Sequence, residues 1–147
     1  MNRQSEKITA LYCRLGRMHG DVDDFAARNQ MEILSEYANK HGLENPEFFC
    51  DWGFSGDPAK WPEYQRMLQR IRDGEVSALV VRNLNRLGRD CSATVDLFET
   101  ILPQHGVVFH SVQDGVGVPK VINQLHDYRA ILNALRLRGR SRKGGCR

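Results

Sequence analysis

Four compact apolar runs set the frame: Ile8–Cys13 (ITALYC), Glu47–Cys50 (EFFC), Ala78–Val81 (ALVV) and Val107–Val112 (VVFHSV). Runs of four to six residues, too short for a helix and rich in β-branched and aromatic types, read as strands buried on both faces. Between them the apolar period changes to that of a helix. The first helix is predicted from about Phe25 to His41, with Ile33, Leu34, Tyr37 and Ala38 on one stripe and Gly42 just past its end. The second covers Glu63–Arg72, entered through Pro62, striped by Tyr64, Met67, Leu68 and Ile71, and closed by Asp73-Gly74. A third runs over Ser92–Gln104 and a last from about Val121 to Leu137. Arg17–Asp24 and Asp51–Lys60 read as loops. This alternation predicts an α/β fold: a mostly parallel four- or five-stranded sheet with helices on both faces, then a C-terminal helix and a basic tail. The division expected is 1–118 for the α/β domain and 119–147 for the helix and tail.

Open parallel sheets meet ligands at the carboxyl ends of their strands. Arg14 ends the first strand, and Arg86 with Arg89 follows the third. A guanidinium stays charged at any working pH and its fork matches two phosphate oxygens, so the three together point to a phosphate site. A single such arginine would be an ordinary solvated residue. Here Arg14 adjoins an apolar strand, and the three-residue spacing of Arg86 and Arg89 lets one turn aim both the same way.

In these residues the chain resembles the N-terminal catalytic domain of serine recombinases, the resolvase and invertase class. ITALYCRLGR, Asn29-Gln30, ILSEYANKHGLENPEFF, DWGFSG, WPEYQRML and NRLGRD occur in the family's order and spacing from about Ile8 to Gly115. The look is that of the large recombinases of bacterial mobile elements. The resemblance implies a resolvase-like fold and phosphoryl transfer without metal or other cofactor. A serine would attack a DNA phosphodiester, and subunits of a tetramer would exchange and rejoin strands. It places Arg14, Gln30, Asp51, Asn85, Arg86 and Arg89 at the catalytic site, the arginines stabilising charge on the five-coordinate phosphorus.

The departures lie in that same site. The family pattern Y-x-R-x-S puts its nucleophile two residues after the strand-one arginine, and this chain has Gly16 there. Positions 14 and 16 share a face of an extended strand, whereas Cys13 points the other way and cannot substitute. Loss of a nucleophile from a catalytic unit typically costs on the order of 10⁴–10⁶ in rate. The family's Asp-Arg pair before the proline of the second helix is Lys60-Trp61. The position before Arg86 holds Asn85, an amide that cannot act as a base, and Trp52 replaces a second loop acid. Ser55 reads as a turn residue. The Gly115-x-Gly117 pair lacks the rest of a dinucleotide fingerprint.

The net charge is +3, yet Arg136, Arg138, Arg140, Arg142, Lys143 and Arg147 form an acid-free tail, without which about −3 would remain. The first five are the expected DNA-contacting residues. In the last helix Leu125, Tyr128, Ile131, Leu132 and Leu135 form an apolar stripe, suited equally to dimerisation or to covering the sheet. The four cysteines are scattered, without metal-ligand spacing, as in a reduced, cytoplasmic protein, and no apolar run reaches a membrane span. A bacterial, nucleoid-associated location is what the resemblance implies. The expected partners are double-stranded DNA and a second copy (homodimer or tetramer), or an intact recombinase in a heteromer. Two readings stand: a site-specific recombinase domain working through a phosphoserine link, impaired by Gly16; or a non-catalytic DNA-binding or dimerisation partner, or a decayed fragment, with no DNA-binding domain after the tail. An unrelated phosphate-binding α/β domain would require the long series of matches to be accidental.

Overall fold

The computed structural model describes residues 7–16, 21–87, 92–113 and 121–122. Strand β1 (Ile8–Leu15) is the second strand of a five-stranded sheet, flanked by β2 (Pro46–Trp52) at the edge and β3 (Val76–Val81) on the inner side. Strand β4 (Val108–Ser111) follows β3, and β5 (Val121–Ile122) closes the order β2-β1-β3-β4-β5. The first four are parallel and β5 is antiparallel to β4, pairing Phe109 with Ile122 and His110 with Val121. The expected mostly parallel sheet of four or five strands is therefore present.

Two apolar layers sandwich it. Leu11, Cys13 and Val80 point to one face, where Leu34 and Ala38 of helix α1 (Asp21–Lys40) cover them. Ala10, Tyr12, Phe49, Leu79, Val81 and Phe109 point to the other. That face is covered by helix α2 (Pro62–Arg72) through Tyr64, Met67, Leu68 and Ile71, and by Leu97, Phe98, Ile101 and Leu102 further along. The period-two alternation of β1 splits its side chains between both layers. Among the described residues no helix is long and apolar enough to cross a membrane.

Several boundaries differ from the sequence expectation. Helix α1 starts at Asp21, inside the stretch that the sequence marks as a loop. Acids at 21, 23 and 24 suit the positive end of a helix, and a polar first turn carries no apolar period to reveal it. Strand β1 continues through Arg14 to Leu15, and β2 through Asp51 to Trp52, so the supposed loop acid lies in a strand. Their pairing, Arg14 with Asp51 and Leu15 with Trp52, continues the ladder past the apolar stretch. The helix expected at Ser92–Gln104 is present in three segments: α3 (Ser92–Asp96), a π-helical stretch over Leu97–Ile101, and α4 (Leu102–Gln104). Pro103 has no N–H for an α-helical ladder, and the i→i+5 bond from the Leu102 N–H to the Leu97 carbonyl shifts the register just before it. Val121 and Ile122 form a strand at the place where the sequence predicts the start of the last helix. Two β-branched residues pair readily with the open edge of β4. The remainder of that helix, Arg89, Gly115, and the basic residues Arg136, Arg138, Arg140, Arg142 and Lys143 lie outside the described residues.

Candidate functional site

The ladder between β1 and β3 ends at Tyr12 paired with Val81. Beyond it the backbone of Arg14 is satisfied by side chains. Gln30, fully buried on α1, accepts from the Arg14 N–H through Oε1 at 3.0 Å, and its Nε2 donates to the Arg14 carbonyl at 3.3 Å. This amide mimics a strand edge, which explains a polar residue on the inner face of α1. The same carbonyl accepts from Nη1 of Arg86 at 3.0 Å. Arg86 stands in a 3₁₀ turn, Leu84–Leu87, directly after β3.

The exchange is reciprocal, since Nε of Arg14 donates to the Arg86 carbonyl at 2.9 Å. Nη1 of Arg14 reaches the Phe54 carbonyl, also at 2.9 Å, in the loop after β2. Two guanidinium groups are thus drawn together at the carboxyl ends of β1 and β3. Burial pulls both below the usual arginine range, and for Arg86 the neighbouring Arg82 and Arg14 pull further the same way. Nε of Arg86 is buried without a hydrogen-bond partner among the described residues. Such concentrated positive charge favours an anion at this end of the sheet.

Gly16 immediately follows β1. A Cβ built there would meet Ser55 Cβ at 3.8 Å, an ordinary contact, and its backbone is not in the left-handed region. The position would accept a serine. Ser55 is itself exposed, in a loop pinned to β1: the N–H groups of Gly53 and Phe54 both donate to the Leu15 carbonyl, at 2.9 and 3.1 Å. Gly53 (φ 85°) and Gly56 (φ 79°) supply the left-handed turns that bring the loop back. Sequence pattern marks Ser55 as a turn residue only and does not place it against position 16. No periodicity signals a contact between a strand end and a loop about forty residues away.

Asp51 is almost fully buried, and its carboxylate is occupied by structure. It accepts from the Tyr12 hydroxyl at 2.8 Å and from the N–H groups of Glu63 and Tyr64 at 3.0 Å each, capping α2 from β2. Burial, then Asp51, pushes the Tyr12 phenol well above its ordinary range. Cys13 lies beneath α1 beside its registered neighbour Cys50. Their hydrogen bond and burial push the Cys13 thiol far up, so it presents no thiolate.

In the sequence Trp61 stands out only as a departure from the family pattern. In the fold it is fully buried, its ring centroid 4.4 Å from the Arg14 guanidinium carbon, and its Nε1–H donates to the Ser55 carbonyl at 3.3 Å. The structure therefore brings Arg14, Gly16, Gln30 and Arg86 to one sheet end with Ser55 and Trp61, and gives Asp51 a capping position.

A family model described as "Resolvase, N terminal domain" matches residues 9–137. Among solved structures the chain is similar to the N-terminal catalytic domain of TP901-1 integrase, with TM-score 0.72 and 23% identity over 92% of this chain and 98% of that one. It is also similar to a resolvase family site-specific recombinase from Streptococcus pneumoniae, with TM-score 0.62 and 22% identity over 92% of each chain. The C-terminal catalytic domain of ISC1926 TnpA, an IS607-like serine recombinase, gives TM-score 0.61 and 16% identity over 90% of this chain and 84% of that one. At these identities the structural likeness establishes the fold. Comparison with curated proteins finds no match.

Proposed function

This chain belongs to the resolvase family, as a serine recombinase catalytic-type domain, and on that footing we propose that it engages duplex DNA without cutting it. The observation that carries this reading is Gly16, at the end of β1 and beside the paired guanidinium groups of Arg14 and Arg86. Positive charge suited to a phosphodiester is retained there, while the hydroxyl that would attack it is missing.

Neighbouring groups do not replace that hydroxyl in this reading. Cys13 faces the opposite layer and is held as a thiol. Ser55 is close, but its carbonyl and the adjacent peptides are tied into the turn, and no base reaches its hydroxyl among the described residues. Asn85, in the position before Arg86, supplies no carboxylate. Arg86 then serves as the phosphate grip at the sheet end, joined by Arg89 and by Arg136, Arg138, Arg140, Arg142 and Lys143 of the tail. The domain (1–118) with residues 119–147 would act as a DNA-binding or dimerising partner of an intact recombinase or of a second copy, in the bacterial cytoplasm. The reading that favours residual recombination draws on the near-complete series of family motifs.

Both are tested on a nicked suicide duplex that traps any covalent intermediate. The wild-type chain is expected to yield no protease-resistant protein–DNA adduct, and Gly16→Ser to restore little, because Trp61 and Asn85 remain. An adduct with the wild type would overturn the non-cleaving reading. Efficient cleavage by Gly16→Ser would show that the other changes are harmless.

A further inference from the structure

We propose that Trp61 is a positioning residue that withdraws Arg14 from phosphate and holds it as a clasp between three chain segments. The inference rests on the reading that this end of the sheet faces DNA phosphates, and it assigns the two arginines there different tasks.

A guanidinium grips a phosphate bidentately along an edge, either Nε with Nη2 or the two Nη groups. In Arg14 the Nε is committed to the Arg86 carbonyl and Nη1 to the Phe54 carbonyl. One face of the group lies on the indole of Trp61. These contacts belong to the turn after β3, the loop after β2 and the entry to α2, so one side chain on β1 joins all three. The negative ends of two peptide dipoles and the ring's π face take the place of an anion.

Trp61 is suited to hold this arrangement. It has no exposed surface, its ring also packs edge-on against Tyr64 at 5.6 Å between centroids, and its N–H fixes the Ser55 carbonyl one peptide beyond Phe54. It therefore supports Arg14 directly through the ring and indirectly through the loop that binds Nη1. An arginine at position 61, as the family pattern carries, would repel Arg14 and favour an anion shared between them. Arg86 donates from Nη1 to the Arg14 carbonyl, while its Nε makes no hydrogen bond among the described residues. That leaves Arg86 the less committed of the two to protein acceptors.

The test is duplex binding by fluorescence anisotropy over a salt series, using the full chain. Releasing Arg14 with Trp61→Leu should add a phosphate contact and steepen the slope of log K against log salt by about 0.9. The double variant Trp61→Leu/Arg14→Gln should abolish that gain. A slope unchanged or shallower in Trp61→Leu overturns the proposal, because a packing residue alone would not strengthen the salt dependence. Should Trp61→Leu not fold, Trp61→Phe takes its place; it surrenders the indole N–H and part of the stacked face, and is expected to steepen the slope to a smaller extent. If neither wild type nor variant binds DNA, the DNA reading fails and the clasp is judged separately by fluorescence. In a Trp52→Phe background, Arg14→Gln should uncover the indole, shifting its emission to the red and raising acrylamide quenching. Unaltered emission and quenching would overturn the clasp.

Discussion

Gly16 and His110 show how single side chains set this molecule's chemistry. At Gly16 the backbone and the surrounding space are ordinary, so no packing or conformational requirement explains the glycine, and its consequence is the missing hydroxyl. At His110 the environment decides the charge. The ring is buried on β4, Nδ1 lies 2.8 Å from the Tyr37 hydroxyl, and His41 stacks on Tyr37 at 3.9 Å between centroids. Burial, with a smaller contribution from His41, pushes the His110 pKa down to about 4 from its ordinary 6.5. The folded state thus binds fewer protons than the unfolded state between those values. Stability is complete above about pH 6.5 and falls as pH drops towards 4, by up to about 3 kcal/mol. Urea unfolding at pH 7 and pH 4.5 should show this decline, and His110→Gln should remove most of the difference. An equal decline in the variant would place the acid sensitivity elsewhere.

Elements here are terminated and joined by polar groups that come from distant parts of the chain. Helix α2 begins at Pro62, and Trp61 before it makes no side-chain cap. The capping carboxylate arrives instead from Asp51 on β2 and also satisfies the Tyr12 hydroxyl. One buried group therefore registers β1, β2 and α2 against one another. Asp51→Ala should leave a phenol and two helix amides unpaired and cost about 2–4 kcal/mol, with Asp51→Asn costing less because its amide oxygen can still accept. Denaturant midpoints measure this directly. A cost below about 0.5 kcal/mol for the alanine variant would mean that the cap contributes little. Gln30 works similarly for β1, replacing the ladder where β3 has ended.

Taken over its full length, the chain distributes charge unevenly. The basic residues from Arg136 onward outweigh a mildly acidic remainder, while Arg14 and Arg86 concentrate positive charge at one sheet end. If the tail tracks phosphates, ending the chain at Ala134 should flatten the salt slope of duplex binding by several units, about 0.9 for each phosphate no longer neutralised. An unaltered slope would assign DNA contact to the sheet end.

Residue order was enough to specify the layers. The short apolar runs could only be buried strands, the stripe on the second helix could only face a sheet, and the order of motifs from Ile8 to Gly115 identified the family. It also revealed the absence of a hydroxyl at position 16, because that depends on residue type and spacing alone. Polar boundaries were less legible: β1 and β2 extend past their apolar stretches, α1 begins among acids, and Val121-Ile122 joins the sheet instead of opening a helix. The tasks of Asp51, Trp61 and Arg14 emerged only when the chain was folded. Hydrophobic periodicity reports which face is buried, whereas a carboxylate's role depends on which amides and hydroxyls converge on it. The partners of Asp51 lie between 12 and 39 residues away along the chain, a separation that local pattern does not record.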